Sequence, residues 1–150
     1  MRTVDDMLRS KPDPFNIISP DALVIEALEL LNSVNLSYLI VMENNEYKGV
    51  FCERDYSRNV ILKGRSSNST LVKEVMTTDL PIVSINDTVE HCMHVMNTNK
   101  ARYLVAFGPN KEFEGVITMH DLLRQVIANK ELIFDSSVAE QLINNDERVY

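Results

Sequence analysis

Cysteine occurs only twice in the 150 residues, glycine four times and tryptophan not at all. Two cysteines cannot frame a disulfide scaffold, and Cys52 and Cys92 have neither zinc-ligand nor redox-pair spacing, so no oxidising compartment is implied. The four glycines leave no phosphate-cradling loop of the Walker type. Basic charge is also short: 15 Lys plus Arg stand against 22 Asp plus Glu, a net charge of −7. That balance argues against a broad nucleic-acid or anionic-membrane surface, and neither partner is expected. No apolar run reaches the length of a membrane span, and the opening Met1-Arg2-Thr3-Val4-Asp5-Asp6 has no apolar run behind its charge. A soluble, cytoplasmic protein is the resulting expectation. No nucleophile stands with its base and no metal constellation is apparent, so no enzyme and no bound metal are expected.

What the chain does contain is a repeat. Gly49-Val50-Phe51-Cys52-Glu53-Arg54-Asp55 is echoed by Gly115-Val116-Ile117-Thr118-Met119-His120-Asp121. In each copy a glycine ends a turn, an apolar run reads as a buried strand, and an aspartate opens an amphipathic helix. The offset of 66 (115 − 49) also carries Arg58 onto Arg124, Val60 onto Val126 and Ile61 onto Ile127. Further upstream it sets Asp21 on Asp87, Leu23 on Val89, Ala27 on Met93 and Leu30 on Met96. Such a period is too long for a solenoid unit, and two copies are too few for an open array, so two halves sharing a core are expected. The 45% hydrophobic content suffices to bury one.

The order of elements follows from periodicity. Thr3 to Leu8 makes a short amphipathic turn, broken by Lys11-Pro12-Asp13-Pro14. Phe15 to Ile18 reads as a strand, and Ser19-Pro20-Asp21 as the start of a helix with Leu23, Ala27, Leu30, Leu31 and Val34 on one face. Tyr38 to Met42 and Lys48 to Cys52 form a hairpin across Glu43-Asn44-Asn45-Glu46. A helix from about Glu53 to Lys63 stops at Gly64, and Arg65 to Thr70 is a polar connector. The second half repeats this with a short helix Val72 to Met76, a strand Ile82 to Ile85 and a helix from Asp87, where Asp87-Thr88-Val89-Glu90 resembles a capping box. Tyr103 to Phe107 and Glu114 to Thr118 form the second hairpin, with a loop one residue longer, and a helix follows Asp121. Val138, Leu142 and Ile143 suggest a C-terminal helix that has no copy in the first half. The expected division is a first repeat over residues 1–71, a second over 72–131 and a tail over 132–150.

Two copies of helix, strand, strand, helix, each closing with glycine, apolar residues, a hydroxyl position and an aspartate, resemble a pair of CBS domains, the Bateman module. The resemblance covers Val4 to roughly Lys130. It implies an α+β fold, the α/β-type CBS fold, in which two β-α-β-β-α repeats pack through their sheets about a pseudo-twofold axis. It also implies clefts between the repeats for adenosine compounds: AMP, ADP, ATP, S-adenosylmethionine or NAD. By resemblance Asp121 is the ribose reader, with Thr118 meeting ribose or phosphate, and the adenine is read by backbone groups about Ile82 and Val83. Arg102 and His120 approach phosphate. In the first cleft Cys52 replaces the usual threonine or serine, a weaker hydrogen-bonding group, while Asp55 holds a ribose and Arg54 and Arg58 supply phosphate contacts. The implied function is a regulatory module that senses an adenosyl ligand and signals by conformational or assembly change, as a homodimer, toward a regulated enzyme or transporter.

Plainer readings stand beside these. Thr118-x-x-Asp121 is also a helix-capping pattern, and Arg54, Arg58, Arg102 and Arg124 are also ordinary surface charges. His91 and His94 flank a core-facing Cys92 and do not converge on a metal. The alternative function is a structural or protein-interaction CBS module that has lost its ligand.

Overall fold

The structure is a computed structural model that describes residues 2–12, 16–128 and 141–142. The chain divides into two compact units, residues 12–79 on one hand and residues 1–11 with 80–150 on the other. The first unit holds β1 (Ile17–Ile18), α2 (Val24–Val34), β2 (Tyr38–Glu43), β3 (Glu46–Cys52) and α3 (Glu53–Asp55). The second holds α1 (Val4–Ser10), β4 (Ile82–Ser84), α4 (Val89–Asn99), β5 (Tyr103–Phe107), β6 (Phe113–Thr118) and α5 (Met119–Ala128). The fold is α+β, with a three-stranded sheet in each unit.

Both sheets have one topology. β1 runs parallel to β2 and β2 antiparallel to β3, while β4 runs parallel to β5 and β5 antiparallel to β6. Parallel neighbours need a crossover, which α2 and α4 provide. In the first hairpin Asn44 and Asn45 take φ of 53° and 64°, the left-handed pair that a two-residue turn requires. Each hairpin carries a register shift at the same point, Val41/Met42 and Ala106/Phe107.

The repeat has two offsets. α2 onto α4 and β2 onto β5 run at 65 (89 − 24 and 103 − 38), whereas Cys52 falls on Thr118 at 66 (118 − 52). The change occurs in the longer second hairpin loop. The upstream matches made at 66 are therefore one residue out: Ala27 corresponds to Cys92 and Leu31 to Met96, all of them buried. Leu30 and Val34 are only half-buried.

Element ends differ from expectation where tertiary hydrogen bonds take over capping. The Val24 and Ile25 amides that open α2 donate to Thr70 and Ser67 carbonyls at 2.9 and 3.0 Å, so Asp21 is free to pair with Lys73 at 3.0 Å. At α4 the cap is Thr88, whose hydroxyl accepts the His91 amide at 3.1 Å, while the Asp87 carboxylate closes the preceding turn on the Ser84 amide at 2.8 Å. The helix expected over Glu53 to Lys63 is α-helical only to Asp55. It continues over Tyr56–Ile61 as a π-helix, and the i+5 pattern persists at its end, Leu62 to Ser57 and Arg65 to Val60, before Gly64 at φ +70°. The short helix expected at Val72 to Met76 is a 3-10 turn, Val72–Glu74. Phe15 of the first strand lies outside the described residues.

Each unit is completed by the opening segment of the other repeat. Val4 and Asp5 amides donate to Asp87 and Ile85 carbonyls at 2.8 and 3.0 Å, and Val4 and Met7 of α1 join Leu104, Ile117 and Leu122 in one core. In the other unit the Val72 amide donates to Ala22 O at 2.8 Å, and Val72 and Val75 join Leu39, Phe51 and Val60. Leu142 is buried in the first of these cores; Val138 and Ile143, its partners in the expected C-terminal helix, lie outside the described residues.

Candidate site at the β6–α5 junction and its counterpart

At the end of β6 the chain turns directly into α5, and the junction is sealed by a reciprocal pair of bonds. The Thr118 amide donates to Asp121 Oδ2 at 2.8 Å, and the Asp121 amide donates to Thr118 Oγ1 at 3.2 Å. Two helix-start amides are satisfied at once, the physics of a capping box. The capping reading of Thr118 and Asp121 thus holds as geometry. Asp121 is only 5% exposed, and a charge so buried requires partners. They are Lys11 Nζ, 2.8 Å from Oδ2, and Arg124 Nη2, 3.1 Å from Oδ1. Lys11 also donates to the Val116 carbonyl at 2.9 Å.

Other expected site residues gather around this junction to different degrees. The Arg102 carbonyl accepts the Met119 amide at 3.0 Å, which ties the start of β5 to the start of α5. His120 is exposed on the first turn of α5. At the two ends of β4 the Val105 amide of β5 donates to Pro81 O, and the Ile85 amide donates to Phe107 O of β5. Pro81, Val83 and Ile85 therefore turn their backbone groups toward β5, and by strand alternation Ile82 turns its own to the open edge of the sheet. Val83 is buried, whereas the Ile82 side chain is 66% exposed. An edge backbone beside an exposed apolar side chain can take a flat heterocycle, stacking on one and hydrogen-bonding the other. Ile17 of β1 repeats the exposure at 62%.

In the other unit, Cys52 and Asp55 make the corresponding junction. The Cys52 amide and thiol donate to Asp55 Oδ2 at 2.9 and 3.3 Å, and the Thr77 hydroxyl donates to Oδ1 at 2.7 Å. Burial raises the Asp55 carboxyl above its usual range, against the opposing pull of Thr77, Cys52 and the nearby Arg54 charge. The Cys52 thiol is pushed up to about 11, first by burial and then by Asp55. It is a neutral donor. Arg54 is half-buried and Arg58 exposed.

Nothing in the sequence marks Lys11 or Thr77 as a partner of these aspartates. Lys11 stands in a proline-broken stretch and Thr77 after a short helical turn, and their types differ, so the 66-residue spacing between them carries no visible likeness. Gly49 and Gly115 show why they arrive. Neither ends a turn; both lie within the second hairpin strand, and a Cβ on Gly49 would meet Thr77 O at 2.7 Å, one on Gly115 Leu8 Cδ2 at 2.7 Å. The missing side chains admit the incoming segments.

A pocket of about 120 Å³ opens beside Asp121, lined by Met7, Ser10, Lys11, Asp121, Arg124 and Gln125. No group of three or more His, Cys, Asp or Glu side chains suited to a metal ion occurs among the described residues. His91 and His94 are exposed while Cys92 is buried, so the three do not converge. Nor, among the described residues, is any helix long and apolar enough to cross a membrane.

Two sheets of one topology, each ending in a buried aspartate at a strand-to-helix junction, define a duplicated α+β module. The CBS domain model matches residues 4–61 and 72–128, and the chain belongs to the CBS domain family, with two copies of the domain. It is similar to the CBS domain-containing protein CBSX3, mitochondrial, of Arabidopsis thaliana, 27% identical over 134 residues. That match covers 83% of this chain and 65% of the Arabidopsis protein, just under two thirds of its length. A solved protein with CBS domains from Burkholderia ambifaria MC40-6 is 29% identical, with a TM-score of 0.77 over 88% of this chain and 98% of its own. CBSX2, solved in complex with AMP, shares the fold at 23% identity and a TM-score of 0.67, over 86% of this chain and 98% of its own.

Proposed function

We propose that the chain is a regulatory module that binds an adenosine nucleotide and reports its occupancy by a change of conformation or assembly. The observation that carries this reading is the Asp121–Thr118 pair: a buried carboxylate at the start of α5, ringed by Lys11 and Arg124. A carboxylate accepts both hydroxyls of a ribose, and the cations and helix amides beside it suit a phosphate. The AMP held by CBSX2, a protein of the same fold, supports an adenosyl ligand. In the proposed site Asp121 and Thr118 hold the ribose, the edge backbone and side chain of Ile82, next to Val83, take the adenine, and Arg102 and His120 join the cations beside Asp121 in approaching the phosphate. Asp55, with Cys52 and Arg54, forms the equivalent but weaker site. AMP, ADP, ATP, NAD and S-adenosylmethionine remain the candidate ligands, and a homodimer that regulates an enzyme or transporter is the proposed assembly. No catalytic step is assigned to the chain. Signalling then requires that the ligand favour one state of the module over another.

One observation favours the alternative, an interaction module without ligand: the oxygens of both aspartates already have partners within the protein. Thermal unfolding with each of the five compounds separates the two readings. A ligand at about a hundred times its Kd stabilises by about 2.7 kcal/mol, a rise of several degrees in Tm. Such a rise with at least one compound, lost in Asp121→Ala, is the expected result. No rise with any of the five leaves the interaction module as the function.

A further inference from the structure

We propose that Lys11 and Arg124 form an anion subsite beside Asp121 that selects phosphorylated over unphosphorylated nucleosides, an inference that rests on the adenosyl-ligand reading above. A carboxylate offers about four lone-pair positions, two on each oxygen. On Asp121, Oδ2 already accepts the Thr118 amide and Lys11 Nζ, both at 2.8 Å, and Oδ1 accepts Arg124 Nη2 at 3.1 Å. A ribose diol that donates one hydrogen bond to each oxygen finds room on Oδ1 and none on Oδ2. One donor has to leave. The Thr118 amide is fixed by the strand-to-helix junction, where the Asp121 amide returns a bond to Thr118 Oγ1. Lys11 yields instead, because its ammonium has three donors on a flexible four-carbon stem and can pivot away from Oδ2 while it keeps its bond to the Val116 carbonyl.

A displaced ammonium needs a new counter-charge, and the adjoining pocket has room for one. Its volume of about 120 Å³ equals roughly four waters at about 30 Å³ each, well below the roughly 300 Å³ or more of a site that encloses a whole ligand. It suits a single phosphate-sized anion. Two cations face one carboxylate there, so the lining carries excess positive charge, and Arg124, whose side chain is 68% exposed, can turn toward an anion at little cost. A nucleotide therefore replaces the Lys11–Asp121 ion pair with a Lys11–phosphate pair, whereas a neutral nucleoside breaks the first and offers nothing in return. The other repeat provides the contrast. There a neutral hydroxyl, Thr77, takes the place of Lys11 on the aspartate.

The test is calorimetric titration of the full chain with AMP and with adenosine, for the wild type, Lys11→Gln and Lys11→Arg, with circular dichroism to confirm folding. The wild type is expected to favour AMP. Lys11→Gln should lose about tenfold or more of that preference, the size of one charge-assisted hydrogen bond, with adenosine binding unchanged or tighter, while Lys11→Arg keeps it. Should Lys11→Gln not fold, Arg124→Gln, at an exposed side chain, must show a reduced preference. An unaltered AMP-over-adenosine ratio in a folded variant overturns the subsite, as does a wild type that binds both ligands equally. A wild type that binds neither overturns the adenosyl reading itself, and the subsite with it.

Discussion

Thr77 donates its hydroxyl to Asp55 at 2.7 Å, and Lys11, 66 residues earlier (77 − 11), donates its ammonium to Asp121 at 2.8 Å. Each aspartate opens the helix of one repeat and is held by the opening segment of the other. The helix starts of the two repeats are thus stabilised by an exchange of arms, which links the N-terminal residues to the folding of the second repeat.

Removing either arm's donor should destabilise the protein through its partner aspartate. Thr77→Val leaves the buried Asp55 carboxylate short of a hydrogen bond, at a cost of about 1–3 kcal/mol, whereas Thr77→Ser restores most of it. Urea denaturation reads the difference. Equal stability of the Val and Ser variants would contradict a structural role for that hydroxyl.

Neither strand glycine should tolerate alanine, for different reasons. A Cβ at position 49 meets backbone, Thr77 O at 2.7 Å, whereas at position 115 it meets the movable Leu8 Cδ2 at 2.7 Å but sits on a backbone with φ of +158°, which strains any L residue. Each change to alanine is expected to cost about 1–3 kcal/mol. Denaturation midpoints check this, and if Leu8→Ala restored all the stability lost in Gly115→Ala, the cost would lie in that contact and not in the backbone.

Asp55 gives stability a pH dependence of definite sign. Its folded-state carboxyl lies above the reference 3.8 because burial disfavours the charged form. The native state therefore holds that proton more tightly than the unfolded chain. The resulting stabilisation is fully present below about 3.8 and is lost as pH rises through the folded value. Relative to Asp55→Asn, the wild type should gain stability as pH falls from about 7 to about 4. A loss over that range would reverse the assigned shift.

Both cysteines should resist alkylation in the folded protein. Burial pushes the Cys92 thiol up to about 12, and Cys52 stands at about 11, so the reactive thiolate is scarce near neutral pH. Iodoacetamide labelling followed by mass spectrometry should be slow at both and rise only with unfolding. Rapid labelling of Cys52 in folded protein would contradict the burial of its thiol.

The sequence exposed the duplication because its strongest signals are local. A glycine, an apolar run and an aspartate at fixed spacing survive in both copies, and Thr118 with Asp121 reads as a cap from three residues' separation alone. Element ends were less legible because distant carbonyls perform the capping: Thr70 and Ser67 serve α2, so Asp21 has no cap to make. Lys11 on Asp121 is a contact over 110 residues, and nothing in Lys11-Pro12-Asp13-Pro14 announces it. The glycines were visible as glycines, but their purpose, to admit Thr77 and Leu8, is a property of packing.

Calorimetric titration of AMP into the wild type and Asp121→Ala, with folding of the variant verified, tests the proposed function most directly. Saturable binding to the wild type that disappears in the variant is the expected result, and a stoichiometry above one per chain would show that the Asp55 site fills as well. Binding that survives unchanged in Asp121→Ala would contradict the assignment of Asp121 as the ribose-holding residue.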